Sequence, residues 1–461
     1  MGLLNRPGRK SAWNSFAPPH SVRRRLITGM SGLISLRAAF SGISFLSAIL
    51  LARLLGPQEL GEYSYSMAWI VLLAVPALLG MDQLLVREVA AAVAKRDWAV
   101  VNGLRRWSTR VVFHLSMAMA TVAGACIWVT AGPAHQEAQI TFIAALPFLP
   151  LISLTRVRQS MMQGLHRVSL GAMPEQLIQP GLFLLFLASA AFLHLHPGAP
   201  VAMGANALAA AVAFGAGVVL MRRSLPDGVL QSTPVYKSKQ WFGFALPLVF
   251  VAGVAVVFGQ ADTLILGLFR DQAAIGTYSV AHKGSELISL ILTTQISAFA
   301  STAANLFATR DMERLQRLVV KLARLTVLLS APAMIAMIGF GHWYLLLFGH
   351  GFAAARPTLV ILSLGQVVNV ATGCAGMLLA ITGHEHRLAR IIGWGAIANV
   401  ALSCALAPRW GAEGVAVAYA ASMVLWNVWA AIDLYRLTGI HCTVLGSISF
   451  DAKVSARATA S

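Results

Sequence analysis

The stretch Leu51-Ala-Arg-Leu-Leu-Gly-Pro-Gln-Glu-Leu-Gly-Glu-Tyr-Ser64 decides the architecture, because the chain contains it twice. Set without a gap above Leu266-Gly-Leu-Phe-Arg-Asp-Gln-Ala-Ala-Ile-Gly-Thr-Tyr-Ser279, it matches at Leu51/Leu266, Gly61/Gly276, Tyr63/Tyr278 and Ser64/Ser279, a constant offset of 215 residues. In both copies an apolar run ends, a short polar turn follows, and a small-x-Tyr-Ser start leads into the next apolar run. Four identities carry weight only if the surrounding chain repeats in the same register. It does: the first copy joins apolar spans one and two, and the second joins spans seven and eight. Six spans per copy return the chain to its starting side, so the halves are parallel repeats related by an axis along the membrane normal, a transporter architecture.

Charged residues make up only 11% of the 461, apolar types 57%, and mean hydropathy is +0.72. A soluble domain carries about 25% charged residues, so the chain is a polytopic membrane protein. The formal net charge of +18 would by itself point to nucleic acid, but the placement of the charges excludes that reading. Cys126, Cys374, Cys404 and Cys442 form no CxxC or Cys/His spacing, so neither a disulfide framework nor a metal site is implied. Arg23-Arg24-Arg25 precedes a long apolar run without a small-x-small cleavage site, which reads as an uncleaved first span.

About 20 apolar residues cross a bilayer as a helix. On that ruler twelve spans are expected near 27–52, 63–88, 110–131, 139–162, 169–193, 200–221, 242–266, 276–300, 320–341, 357–381, 389–408 and 413–435. Of the 35 lysines and arginines, 28 fall on the side of the N-terminus and only Arg53, Arg270, Arg356 and Arg409 on the other; Arg37, Arg87 and Lys283 are counted within spans. By the positive-inside rule both termini are cytoplasmic. Trp69, Trp98, Trp107, Trp128, Trp241, Trp343 and Trp410 lie near span ends, as an interfacial belt requires. The expected units are a basic tail (1–26), a six-helix lobe (27–221), a cytoplasmic linker (222–241), a second six-helix lobe (242–435) and a C-terminal tail (436–461).

Ionisable groups within a span are costly and mark substrate or ion pathways. Arg37, ten residues into the first span, reads as a cavity cation for an anionic head group, against a snorkelling or structurally paired arginine. Asp82 and Arg87 stand near the cytoplasmic end of span two. Their spacing of five makes them poor partners on one helix. In span eight, Glu286 is four residues from His282 and three from Lys283, so a self-neutralised helical group competes with a site reading. Asp262 in span seven and Glu175, directly after Pro174 in span five, are carboxylates that could titrate or bind a cation. Under the offset of 215, Arg37, Arg87, Lys283, Asp262 and Asp82 map to Ala252, Thr302, Ala68, Ser47 and Ser297. No intramembrane charge is duplicated, which favours function over a requirement of the fold.

No G-x-x-x-x-G-K-[ST] motif occurs, so nothing resembles an ATP motor. The outward connections are too short to build the site of a membrane glycan polymerase, and the enzyme reading ranks low. No cofactor and no metal are implied.

Ala52-Arg-Leu-Leu-Gly-Pro-Gln-Glu-Leu-Gly-Glu-Tyr63, Leu85-Val-Arg-Glu-Val89, Ala261-Asp-Thr-Leu-Ile-Leu-Gly267, Gly276-Thr-Tyr-Ser-Val-Ala-His-Lys283 and Gly411-Ala-Glu-Gly-Val-Ala-Val-Ala418 together resemble the polysaccharide flippase family. That family includes O-antigen and exopolysaccharide translocases and belongs to the superfamily of the multidrug and toxin extruders. The resemblance runs from about 27 to 437. It implies an all-α, two-lobed bundle of twelve to fourteen helices in the bacterial inner membrane that flips an undecaprenyl-diphosphate-linked oligosaccharide to the periplasmic leaflet by alternating access. Membrane lipids, and glycosyltransferases and a polymerase of the same pathway, are the implied partners. Arg53, Arg87, Asp262 and Lys283 fall on commonly polar positions of the family motifs, whereas Arg37 and Glu175 rest on the reading of the residues alone. Arg37, Arg87 and Lys283 are therefore expected to bind substrate, and Asp82, Asp262, Glu175 and Glu286 to be coupling or cavity carboxylates. An ion-coupled extruder of small cations, from the same superfamily, is the competing reading. Net span charge does not separate the two.

Overall fold

The computed structural model describes residues 19–130 and 136–447, with side chains from Phe40 onward except at 130, 136, 227, 246–248 and 250–252. All regular elements among them are helical. In order they are α1 (Pro19–Leu78), α2 (Met81–Ala94), α3 (Trp98–Thr130), α4 (Gln136–Ala145), α5 (Phe148–Gly164) and α6 (Val168–Met173). A π-helical turn (Pro174–Ile178) leads into α7 (Gln179–Phe192), followed by α8 (Ala199–Ser224), α9 (Asp227–Gln231), α10 (Ser238–Phe269) and α11 (Gln272–Ala308). Then come α12 (Met312–Gly339), α13 (Gly341–Phe348), a 3-10 turn (His350–Ala355), α14 (Arg356–Thr372), α15 (Ala375–Ile381) and α16 (Glu385–Thr438). Hydrocarbon offers no partner for a bare amide, so each apolar run closes its own hydrogen bonds as a helix.

Among the described residues, nine continuous segments are long and apolar enough to cross a membrane. Two are too long for one crossing: α1 spans 60 residues and α16 spans 54, or about 90 and 80 Å at 1.5 Å per residue against a hydrocarbon core of about 30 Å. Each breaks at a glycine with positive φ, Gly56 (φ 70°) and Gly411 (φ 56°), a conformation a Cβ disfavours. With both divided at their glycines and α10 counted beside them, the chain crosses twelve times, six through α8 and six from α10. The loops rich in lysine and arginine collect at one end of the bundle, called here the basic end.

The contact between the lobes shows the repeat directly. A Cβ on Gly61 would fall 1.7 Å from the Gln272 carbonyl oxygen, and one on Gly276 would fall 2.0 Å from the Pro57 carbonyl oxygen. The offset of 215 exchanges Gly61 with Gly276 and Pro57 with Gln272, so these are the same contact made twice, as a twofold relation demands. Ser64 Oγ donates to Ser279 Oγ at 3.2 Å. A residue that meets its own equivalent lies at the pseudo-twofold axis. The glycines of the repeated motif therefore let α1 and α11 cross backbone to backbone at the end opposite the basic one.

Arg53 and Arg270 satisfy carbonyls at the same end. Arg53 Nε donates to Leu347 O at 2.7 Å, at the last turn of α13, and Arg270 Nη2 donates to Pro408 O at 2.9 Å, beside the break at Gly411. Carbonyls at the end of a helix lack partners within it, and a cation there also meets the negative end of the helix dipole.

A candidate substrate cavity between the lobes

A cavity of about 630 Å³ lies between the lobes. One wall comes from α1, α5, the π turn, α7 and α8, and the other from Ser279, Val280 and Lys283 of α11 with Phe348 of α13. Phe40, Ser44, Ser47, Ala48 and Leu51 of α1 line it, and their spacing is that of one helical face. Toward the basic end it adjoins a smaller pocket of about 390 Å³, lined by Asp82, Gln163 and the shared residues Arg156 and Gln159.

Of the expected substrate-binding residues, Lys283 stands on the cavity wall. Its ammonium makes no hydrogen bond or ion pair among the described residues. The Arg37 side chain lies outside the described residues; in the α1 sequence the residue precedes Phe40 by three. Arg87 is not on the wall. Its side chain is 59% exposed, pairs with Glu88 at 3.1 Å and covers the Phe244 ring at 4.5 Å.

The four expected carboxylates are dispersed. Only Glu175 reaches the main cavity, and it is neutralised: Arg158 Nη2 donates to both carboxylate oxygens at 2.6 Å, and Gln159 Nε2 donates to one of them at 3.1 Å. The Arg158 side chain is 2% exposed. It also donates to Gly171 O, and its guanidinium occupies the space that a Cβ on Gly217 would need, 2.5 Å from Cζ. Asp82 lines the smaller pocket. Asp262 is buried behind the wall in the second lobe, accepting from Tyr278 Oη at 2.9 Å and from Asn399 Nδ2 at 2.8 Å. Glu286 is exposed and lies 3.9 Å from His282 Nδ1, the i,i+4 neighbour expected from spacing; His282 in turn stacks on Tyr278.

Sequence reading overlooked Arg156 and Arg158. In sequence both pass for loop cations, among the 28 on the side of the N-terminus, although they fall inside the expected fourth span (139–162). The structure corrects this: both belong to α5, with Arg156 on the cavity wall and Arg158 buried. Like Lys283, Arg156 has no ion-pair or hydrogen-bond partner among the described residues. The uncharged polar wall of Thr155, Gln159, Gln176, Gln179 and Asn206 was also missed, because a search for intramembrane charge passes over amides. Glu62 escaped notice too; it is buried in α1 and accepts from Thr141 Oγ1 at 3.3 Å.

Known proteins resemble this chain in sequence and in fold. Residues 27–300 match the family model described as Polysaccharide biosynthesis protein, and residues 247–404 match the model described as MatE. A curated protein from Haloferax volcanii named "Probable flippase AglR" is 27% identical over 172 residues, a stretch covering 37% of this chain and 36% of that relative. Among solved structures, an inward-facing multidrug resistance MATE family transporter of the MOP superfamily superposes with a TM-score of 0.70 at 12% identity, covering 86% of this chain and 94% of that one. The Lipid II flippase MurJ in an inward closed conformation does so with a TM-score of 0.69 at 10% identity, covering 93% and 91%. At such identities the superpositions establish a common fold.

Proposed function

Because the chain belongs to the Polysaccharide biosynthesis protein family, we propose that it is a flippase carrying an undecaprenyl-diphosphate-linked oligosaccharide across the bacterial inner membrane by alternating access. In this reading the basic end is cytoplasmic, the lobes comprise 27–221 and 242–435, and residues 222–241 join them. The observation that carries the reading is the sign of the cavity. Among the described residues its one carboxylate, Glu175, is bound by Arg158, while Lys283 and Arg156 on the wall make no hydrogen bond or ion pair. An organic cation would want the opposite: free carboxylates facing a cavity without unpaired cations. A diphosphate offers the acceptor oxygens that a guanidinium meets in pairs and an ammonium meets as a point charge. The volume falls in the range that encloses a drug-sized ligand, so the head group and first sugars enter while the isoprenoid stays in the bilayer.

The lobes touch backbone to backbone at the end opposite the basic loops, and the cavity adjoins a second pocket toward the basic end. This arrangement fits a state loaded from the cytoplasmic leaflet. Asp262, held by Tyr278 and Asn399 within the second lobe, is the carboxylate we assign to coupling. Asp82, in the smaller pocket, lies on the entry path.

The test is binding of undecaprenyl diphosphate to the purified protein in nanodiscs. Lys283→Ala removes one charge-assisted contact, a loss of about 1.5–3 kcal/mol, or roughly 10- to 150-fold in Kd. Unchanged affinity, or binding of a lipophilic cation in preference to the diphosphate, refutes the assignment and returns the extruder reading.

A further inference from the structure

Resting on that reading, we propose that the wall of the first lobe recognises the sugar adjoining the diphosphate, through an amide comb set out by the π-helical turn between α6 and α7. Polarity in the cavity is one-sided. Among the described residues the second lobe contributes one hydroxyl, Ser279, and one cation, Lys283. All the amides, Gln159, Gln176, Gln179 and Asn206, stand on the first lobe.

Local sequence explains how they come to stand there. Pro174 has no N–H to give its helix, and the ladder widens so that Gln179 N donates to Pro174 O, five residues back. Such single π turns inside helices recur at functional sites. Here the turn carries Glu175 and Gln176 and sets Gln179 at the start of α7, and all three reach the cavity.

The bonds within the comb orient it and leave valences open. Gln179 Nε2 donates to Asn206 Oδ1 at 3.2 Å, and Asn206 Nδ2 donates to Tyr63 Oη at 2.7 Å. Gln179 Oε1 therefore remains an acceptor, and the Tyr63 hydroxyl keeps its proton to donate. Gln159 Nε2 is engaged by Glu175, which leaves its Oε1. Gln176 Oε1 is buried without a hydrogen-bond partner among the described residues, a cost that ends only when the amide turns toward a donor, and Gln176 stands on the wall where a hydroxyl in the cavity can supply one. A wall that offers both neutral acceptors and a neutral donor matches sugar hydroxyls, each of which both donates and accepts. It matches a phosphate poorly, since phosphate only accepts and the acceptors of the comb would repel it. Phe148 and Phe183 on the same wall offer apolar surface to the C–H face of a pyranose.

The experiment compares two probes on the full chain in nanodiscs by native mass spectrometry: bare undecaprenyl diphosphate, and undecaprenyl diphosphate bearing a single N-acetylhexosamine or hexose. The wild type is expected to hold a sugar-bearing lipid at least about 10-fold more tightly than the bare one. Gln176→Leu and Gln179→Leu should erase that preference while leaving the bare lipid's Kd unchanged, which also verifies that the variants are folded. The shorter Gln176→Asn should retain part of it. Lys283→Ala should weaken both probes and preserve their ratio. The comb is overturned if no sugar improves binding, if the preference survives both leucine variants, or if those variants weaken both probes alike. Failure of Lys283→Ala to weaken the bare lipid overturns the diphosphate reading instead, so the two failures are distinct.

Discussion

Adding one methyl group at either glycine of the repeated motif should force the lobes apart at the end where they now touch. In Gly61→Ala the new Cβ would sit 1.7 Å from Gln272 O, and in Gly276→Ala 2.0 Å from Pro57 O; both opposing atoms are backbone and cannot swing away. Real Cβ atoms essentially never approach closer than 3.0 Å, so α1 and α11 must separate by about 1 Å or more. Overpacking of this kind costs typically about 1–3 kcal/mol. Because both substitutions open the same crossing, the second should cost little once the first has parted the helices. The double variant then shows a coupling energy of about 1 kcal/mol or more, well beyond the few tenths expected of independent sites. Thermal unfolding in nanodiscs measures the stability part. Labelling of Ser279→Cys by a membrane-impermeant maleimide measures the opening, and it should rise in either alanine background. Unchanged stability and labelling, or strictly additive losses, would show that the crossing is not a close contact in the membrane.

Arg158→Ala leaves Glu175 uncompensated in a largely buried position and should destabilise the first lobe by about 3–5 kcal/mol, whereas the double variant Arg158→Met/Glu175→Leu should be milder; expression and thermal unfolding decide, and a double variant worse than the single one contradicts the pairing. Arg37→Lys should retain partial translocation while Arg37→Ala and Arg37→Gln lose it at unchanged membrane levels; normal transport in Arg37→Ala, or loss of the protein, removes this residue from the substrate site. Reporter fusions after Arg106, Lys239 and Arg390 should read cytoplasmic and those near Pro133, Pro197 and Gly411 periplasmic, and any of the latter three reading cytoplasmic breaks the count of twelve spans.

Hydropathy is a local property, so the twelve crossings could be read directly from the order of residues. So could the repeat, because two copies of one unit keep their register wherever they pack, and Gly61 and Gly276 are needed in both. The two hairpins at Gly56 and Gly411 appear in the sequence as breaks between apolar runs for the same reason. The cavity was another matter. Whether an intramembrane charge is available depends on its partner, and partners are chosen by packing. Arg158 and Glu175 lie 17 residues apart on different elements, and only the approach of α5 to the π turn neutralises them; seven ionisable candidates therefore gave the sequence no net sign, whereas the folded wall has one. Arg87 looked like Lys283 in composition and motif, yet α2 carries it outward to Glu88 and Phe244 while α11 turns Lys283 inward. The amides were invisible for a different reason: Gln and Asn leave no charge signature, and they gain meaning only when a widened turn sets Gln176 and Gln179 beside Gln159 of α5 and Asn206 of α8. Position along the chain determined which segments are apolar enough to cross a membrane; position in space decided which side chains face the cavity.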